Sequence, residues 1–195
     1  MHAVNIMNTC AGRQRIDYTK FPCLEAQSIF GLLNTMSDEE LKKAFLAQLP
    51  VFNPADTETR KATCHCGAVR FSVTLSPPLG RHPIGSCNCS ICMKNGYLLV
   101  YPTRDRVAID CGEEHLKAHT FGTHRNLHKF CAKCGSSVFF DPQLTSSTGD
   151  PDLIGINIRM FQGISLDGLN IYTFDGYHAR PFLGDALHLQ LPNGK

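Results

Sequence analysis

The sequence predicts a mainly β domain of short antiparallel strands with an N-terminal helical extension. Three observations support this: β-branched and aromatic runs separated by Gly, Pro and Cys clusters from Thr63 onward, one helix-period segment before them, and a length of 195 residues, which suits one full domain with some chain left over.

Residues 1–36 show no sustained periodicity. Ser37 is placed to cap a helix, Glu40 returns the capping box, and Asp38 and Glu39 suit the positive N-terminal end. Leu41, Ala44, Phe45 and Leu49 recur at helical spacing and Pro50 stops the run, so a helix is expected over 38–49 with its apolar face on the chain's own β domain. The following VFNPADTETRKAT, residues 51–63, reads as a linker. Seven or eight strands are expected from GAVRFSVTL (67–75), YLLVYP (97–102), RVAI (106–109), LKAHTF (116–121), NLHKF (126–130), SSVFF (136–140), LIGINIR (153–159) and LNIYTF (169–174). The chain thus divides into an extension at 1–61, a β domain at 62–180 and a tail at 181–195.

Hydrophobic residues make up 43% of the chain and charged residues 18%, enough apolar side chain for a core and too little charge for disorder. With 19 Lys and Arg against 17 Asp and Glu, the net charge of +2 lacks the basic excess of a nucleic-acid binder. The charge is uneven, however. Residues 64–140 carry 9 basic and 4 acidic side chains and 6 of the 9 histidines, a moderate positive field that can attract an anionic small molecule or balance thiolates. The N-terminus lacks the pattern of a secretory signal, and no stretch approaches a membrane span. A reducing compartment is therefore expected, the cytoplasm with the nucleus also open, where closely spaced cysteines bind metal or do chemistry.

Seven of the ten cysteines fall into three groups: Cys64 and Cys66 in CHCG, Cys87, Cys89 and Cys92 in CNCSIC, and Cys131 and Cys134 in FCAKCG. Cys10, Cys23 and Cys111 stand alone and read as small apolar residues or incidental thiols. Short CxC and CxxC turns can aim two sulfurs at one tetrahedral zinc, and a Gly just after them permits the tight backbone. The first and third groups can together close a four-thiolate site that ties the first strand to a late hairpin. The middle group has three thiolates and no fourth nearby, the arrangement that leaves a coordination position open. Spacing alone does not assign ligands to ions. All seven cysteines can equally serve structural sites, with a histidine or Cys111 as an eighth ligand.

The ordered series CHCGAVRF, CNCSICMKN and HKFCAKCGS resembles the glutathione-dependent formaldehyde-activating enzyme family. It looks most like the branch that includes centromere protein V, through CNCSIC and HTFGTHRNLHKFC. The resemblance covers roughly residues 62–178 and is looser after Asp141; the first 60 residues have no counterpart in the short bacterial members. It implies a zinc-bearing β-tent domain with two zinc ions per chain: a structural ion on Cys64, Cys66, Cys131 and Cys134, and a catalytic ion on Cys87, Cys89 and Cys92.

The implied activity is that of a zinc-dependent carbon–sulfur lyase or synthase, with glutathione as co-substrate. It joins the glutathione thiol to formaldehyde or a related small electrophile. Lys94, Arg125 and Lys129 are candidates to hold glutathione carboxylates, each with a solvated surface charge as the plain alternative. His128 is the candidate proton carrier, with His124 behind it, and His65 sits beside the ligands. The expected partners are a small-molecule thiol and an aldehyde, with no membrane or nucleic acid. Two further readings stand beside this one: the same chemistry on a specialised-metabolism thiol adduct, and a zinc-stabilised, non-enzymatic binding module for a chromatin or cytoskeleton partner.

Overall fold

Described from a computed structural model are residues 37–122, 124–144 and 149–177; Cys10, Cys23 and the tail after Tyr177 lie outside them. Within these residues the chain is mainly β. A three-stranded antiparallel sheet runs in the order β1 (Glu58–Thr63), β2 (Arg70–Leu75), β5 (Val107–Cys111). A seven-stranded sheet is ordered β10 (Ile171–Phe174), β3 (Ile84–Cys87), β4 (Leu99–Val100), β9 (Gly155–Asn157), β8 (Ser137–Asp141), β7 (Leu127–Cys131), β6 (Leu116–His119). Its pairings are antiparallel except for β10 against β3, which are parallel.

Alternation along β2 explains the main core. Phe71, Val73 and Leu75 are buried on one face while Arg70, Ser72 and Thr74 point outward, the period-2 pattern of a half-buried strand. These side chains meet Ile84, Val100, Val138, Phe139 and Ile156 from the larger sheet, and Ile158 just after it, in one cluster. Phe71 and Phe139 join the two sheets with ring centroids 4.7 Å apart.

The expected helix forms as α1 (Asp38–Ala47). Its capping box is complete: the Glu40 N–H donates to Ser37 Oγ at 3.3 Å, and the Ser37 N–H donates to Glu40 Oε2 at 2.7 Å. The helix ends two residues before the reach expected from Pro50, with Gln48 as C-cap. Leu41 and Phe45 are buried and Ala44 is exposed, so the apolar stripe is narrower than expected. Phe45 packs edge-on against Tyr101, with centroids 4.9 Å apart, and Lys42 bonds Asp150 at 3.0 Å, so α1 lies on the β structure.

Four elements depart from expectation. The segment read as a linker contains β1, whose ETRKAT has Ala62 alone as an apolar residue. β1 is an edge strand that needs only one partner, and β2 supplies the apolar face. β3 and the short helix α2 (Ser90–Asn95) occupy a stretch too broken by Pro, Gly and Cys to show a period. β9 spans only Gly155–Asn157, because the Asn157 side chain accepts the Arg159 N–H and turns the chain into a 3-10 helix.

Asp141 anchors the end of β8. Its carboxylate, nearly buried, takes Arg104 at 3.0 Å and Lys129 at 3.2 Å. Burial pushes its pKa up, but the hydrogen bonds and charges of Arg104 and Lys129 outweigh this and hold it below the ordinary carboxylate value. Asp141→Asn is expected to cost about 2 kcal/mol at pH 7, since hydrogen bonds to a charged group contribute roughly 1.5–3 kcal/mol. A pKa depressed by folding gives stability that is complete above the unfolded value and is lost as pH falls through the folded one. The gap between wild type and variant in urea titrations should therefore narrow below about pH 4.

Candidate functional site

Cys64 and Cys66 lie in the turn between β1 and β2, while Cys131 ends β7 and Cys134 lies in the turn that follows it. Each turn closes through a glycine: Gly67 donates to Cys64 O at 3.0 Å and Gly135 to Cys131 O at 2.7 Å, both with φ of 74°. A side chain at either position would be strained in this left-handed conformation. The two turns face each other, bridged by the His65 N–H donating to Ser136 Oγ at 3.1 Å. All four sulfurs lie within 4.8 Å of one another.

The sulfur spacing suits a tetrahedral ion. A metal–sulfur bond of about 2.3 Å places tetrahedral sulfurs about 3.8 Å apart, and the Cys64–Cys66 and Cys66–Cys131 separations are 3.6 and 3.9 Å. Protein donors already favour thiolate at Cys64 and Cys134, while the neighbouring sulfurs push Cys66 up to about 11. The Val69 N–H points at Cys64 Sγ at 3.3 Å. Hydrogen bonds from the Ser136 hydroxyl and backbone push Cys134 down to about 5. This cluster can hold a metal ion with no position left over.

The second cluster is built differently. Cys87 ends β3, Cys89 is the N-cap of α2 and Cys92 lies within α2, with Gly96 closing that helix in a left-handed conformation. The three sulfurs lie within 4.8 Å of one another, and Cys89 and Cys92 are buried. Sulfurs this close share their protons. Cys89 is pushed down to about 3 by hydrogen bonds from Cys87 and Cys92, while contact with Cys89 pushes Cys87 up to about 12 and both neighbours push Cys92 up. A cation coordinated by all three relieves that conflict, because it accepts three thiolates at once. The donor set therefore fits a metal, and a fourth position is left for something else.

The three cysteines line a cavity of about 230 Å³ together with Ile91, Tyr101, Arg125, His128 and Phe140, among others. His128 is 4% exposed, its ring stacked on Phe121 at 5.4 Å and tilted against Phe140 at 5.1 Å. Burial raises the Tyr101 phenol well above its ordinary value, so it stays protonated at neutral pH as a hydroxyl on the cavity wall.

The structure thus brings together Cys64, Cys66, Cys131 and Cys134 in one group and Cys87, Cys89, Cys92, His128 and Arg125 around the cavity. Lys129 does not line it, being paired with Asp141, and Lys94 is exposed on α2 and outside the lining. His124 is exposed and bonds Thr120 at 2.7 Å, away from the lining. Sequence reasoning missed the part played by α1, which contributes Glu39, Lys42 and Phe45 to the cavity wall, and that of β10, which contributes Tyr172 and Phe174. The signal for α1 was its Leu41 and Phe45 stripe; the cavity beneath it gave none.

The family model described as glutathione-dependent formaldehyde-activating enzyme matches residues 59–166, and the chain belongs to that family. A relative from Halomonas elongata, provisionally named a glutathione-dependent formaldehyde-activating enzyme, is 35% identical over 92 residues, 43% of this chain. The match spans 57% of that relative's length. A crystal structure of a Rhodobacter sphaeroides protein is similar at a TM-score of 0.46 and 28% identity, covering 54% of this chain and 91% of that one. Among the described residues, no helix is long and apolar enough to cross a membrane.

Proposed function

We propose that the protein is a zinc-dependent carbon–sulfur lyase or synthase that acts on the glutathione adduct of formaldehyde or of a related small electrophile. The observation that carries this reading is the contrast between its two cysteine clusters: four sulfurs closed on themselves between two turns, and three sulfurs open to a cavity that also holds a buried histidine. Cys64, Cys66, Cys131 and Cys134 would hold a structural zinc, and Cys87, Cys89 and Cys92 a second. Zinc at the open cluster supplies a Lewis-acidic position at which an incoming thiol keeps its thiolate form at neutral pH.

The protein's own side chains do the rest. Of the three cations considered for glutathione carboxylates, Arg125 is the one that lines the cavity, so it is the candidate to orient the tripeptide. His128 is placed to deliver a proton to the carbonyl oxygen as the carbon–sulfur bond forms, and to withdraw it from the hydroxyl in the reverse direction. The rings around it limit water, which strengthens electrostatic interactions inside the cavity.

Elemental analysis of the purified protein should find two zinc ions per chain. Cys89→Ser should lose one of them and keep its circular dichroism spectrum. Cys131→Ser should lose one and unfold, since a structural zinc contributes on the order of 10 kcal/mol, comparable to the whole stability of a domain. A single zinc in the wild type would refute the two-site assignment. The zinc-loaded protein should also speed the exchange of formaldehyde with glutathione, followed by NMR, above the spontaneous rate; no acceleration would overturn the function. His128→Gln should lower kcat about 100-fold, the lower end of general acid–base effects, with zinc content unchanged.

A further inference from the structure

The cavity beside the three cysteines is larger and more apolar than formaldehyde requires. Formaldehyde has two heavy atoms, close in size to a water molecule's share of about 30 Å³, whereas an apolar cavity of about 150 Å³ accommodates benzene. The volume here is about 230 Å³. Its lining includes the rings of Phe45, Tyr101, Phe121, Phe140 and Phe174. Phe45 meets Tyr101 at 4.9 Å and Phe174 at 6.4 Å between centroids, and Tyr101 meets Phe140 at 6.4 Å, so these four rings form a continuous surface.

Glutathione does not match that surface. Its two carboxylates and its ammonium suit the polar members of the lining, such as Arg125, Asn126, Gln143 and Glu39, and against the rings they would lose solvation without gaining partners. The cationic Lys42 in the wall is already paired with Glu39 at 2.9 Å and Asp150 at 3.0 Å, which leaves exposed Arg125 to meet an anionic group at the cavity's edge. The aromatic interior is therefore free for whatever is joined to the sulfur. Phe45 and Phe174 both lie outside the residues matched by the family model, so this part of the wall comes from the flanks of the chain.

Building on the thiol-adduct chemistry proposed above, we infer that the carbon attached to the glutathione sulfur bears an aromatic or comparably large apolar group seated against Phe45 and Phe174. The substrate class is then the glutathione adduct of an apolar aldehyde. The step balances without a further reagent. The thiolate attacks the carbonyl carbon, the carbon–sulfur bond forms, the π pair moves to oxygen and one proton arrives there. In reverse the hydroxyl proton leaves, the C=O bond re-forms, and the carbon–sulfur bond breaks with its electron pair on sulfur.

The test is calorimetric titration of the zinc-loaded full chain with two inert thioethers, S-methylglutathione and S-benzylglutathione. The wild type should bind the benzyl compound at least tenfold more tightly. Phe45→Ala should reduce that preference below threefold while leaving zinc content and affinity for S-methylglutathione unchanged. Phe174→Leu, which leaves α1 untouched, should also reduce it. Equal affinities in the wild type, or a Phe45→Ala variant that weakens both ligands alike, would overturn the inference and leave the glutathione reading standing. Failure of both thioethers to bind would overturn the glutathione reading and this inference with it.

Discussion

Four sulfur atoms drawn from turns in two different sheets must sit within 4.8 Å of one another, and the rest of the fold is arranged around that constraint. The turn after β1 and the turn after β7 are far apart in sequence, so bringing them together fixes where the small sheet meets the large one. The Phe71–Phe139 contact then fills the space between the sheets with apolar surface. Neither feature is sufficient alone. Ring packing is non-directional and tolerates some sliding, whereas thiolate geometry is directional and does not.

The two cysteine clusters differ in how the protein treats their charge. At the four-sulfur site, backbone and serine donors surround the thiols, as in the Val69 N–H to Cys64 and the Ser136 hydroxyl to Cys134. At the three-sulfur site backbone donors also reach sulfur, as in the Cys89 N–H to Cys87 Sγ at 3.4 Å, but the side chains packed against Cys89 and Cys92 include Tyr97, Leu99 and Ile91, so the thiols are more desolvated. Arg125 and the buried His128 line the same cavity, beside Lys42, whose charge is already paired with Glu39 and Asp150.

Much of this was legible in the sequence because the chemistry demands short, regular spacings. CHCG, CNCSIC and CAKCG announce paired and tripled thiols, and the glycines after Cys66 and Cys134 adopt the left-handed turns that such spacing needs. The α1 capping box was equally readable, since Ser37 and Glu40 interact three residues apart. What escaped notice depends on distant partners. β1 is a strand because β2 lies beside it, not because ETRKAT favours one. Lys129 looked available as a cation until Asp141, brought alongside by β8, claimed it. The cavity wall was hidden for the same reason: Phe45, Tyr101 and Phe174 are about 56 and 73 residues apart along the chain and meet through tertiary packing alone.

The pairing of β10 with β3 has a consequence for how the chain tolerates change. Phe174 is in register with Cys87, and Tyr172 with Gly85, so two side chains of one strand face the cavity because residues alternate along it. The loop before β10 can gain or lose residues at little thermodynamic cost, since closure entropy varies slowly with length. A slip of one position in the strand itself would turn Ile171 and Thr173 inward and carry Tyr172 and Phe174 away. Insertions of a single residue should therefore be well tolerated at the exposed Asp167–Gly168 turn, before Leu169 packs on the core and Asn170 bonds Ile84, and poorly within the strand, a difference of a few positions along the chain.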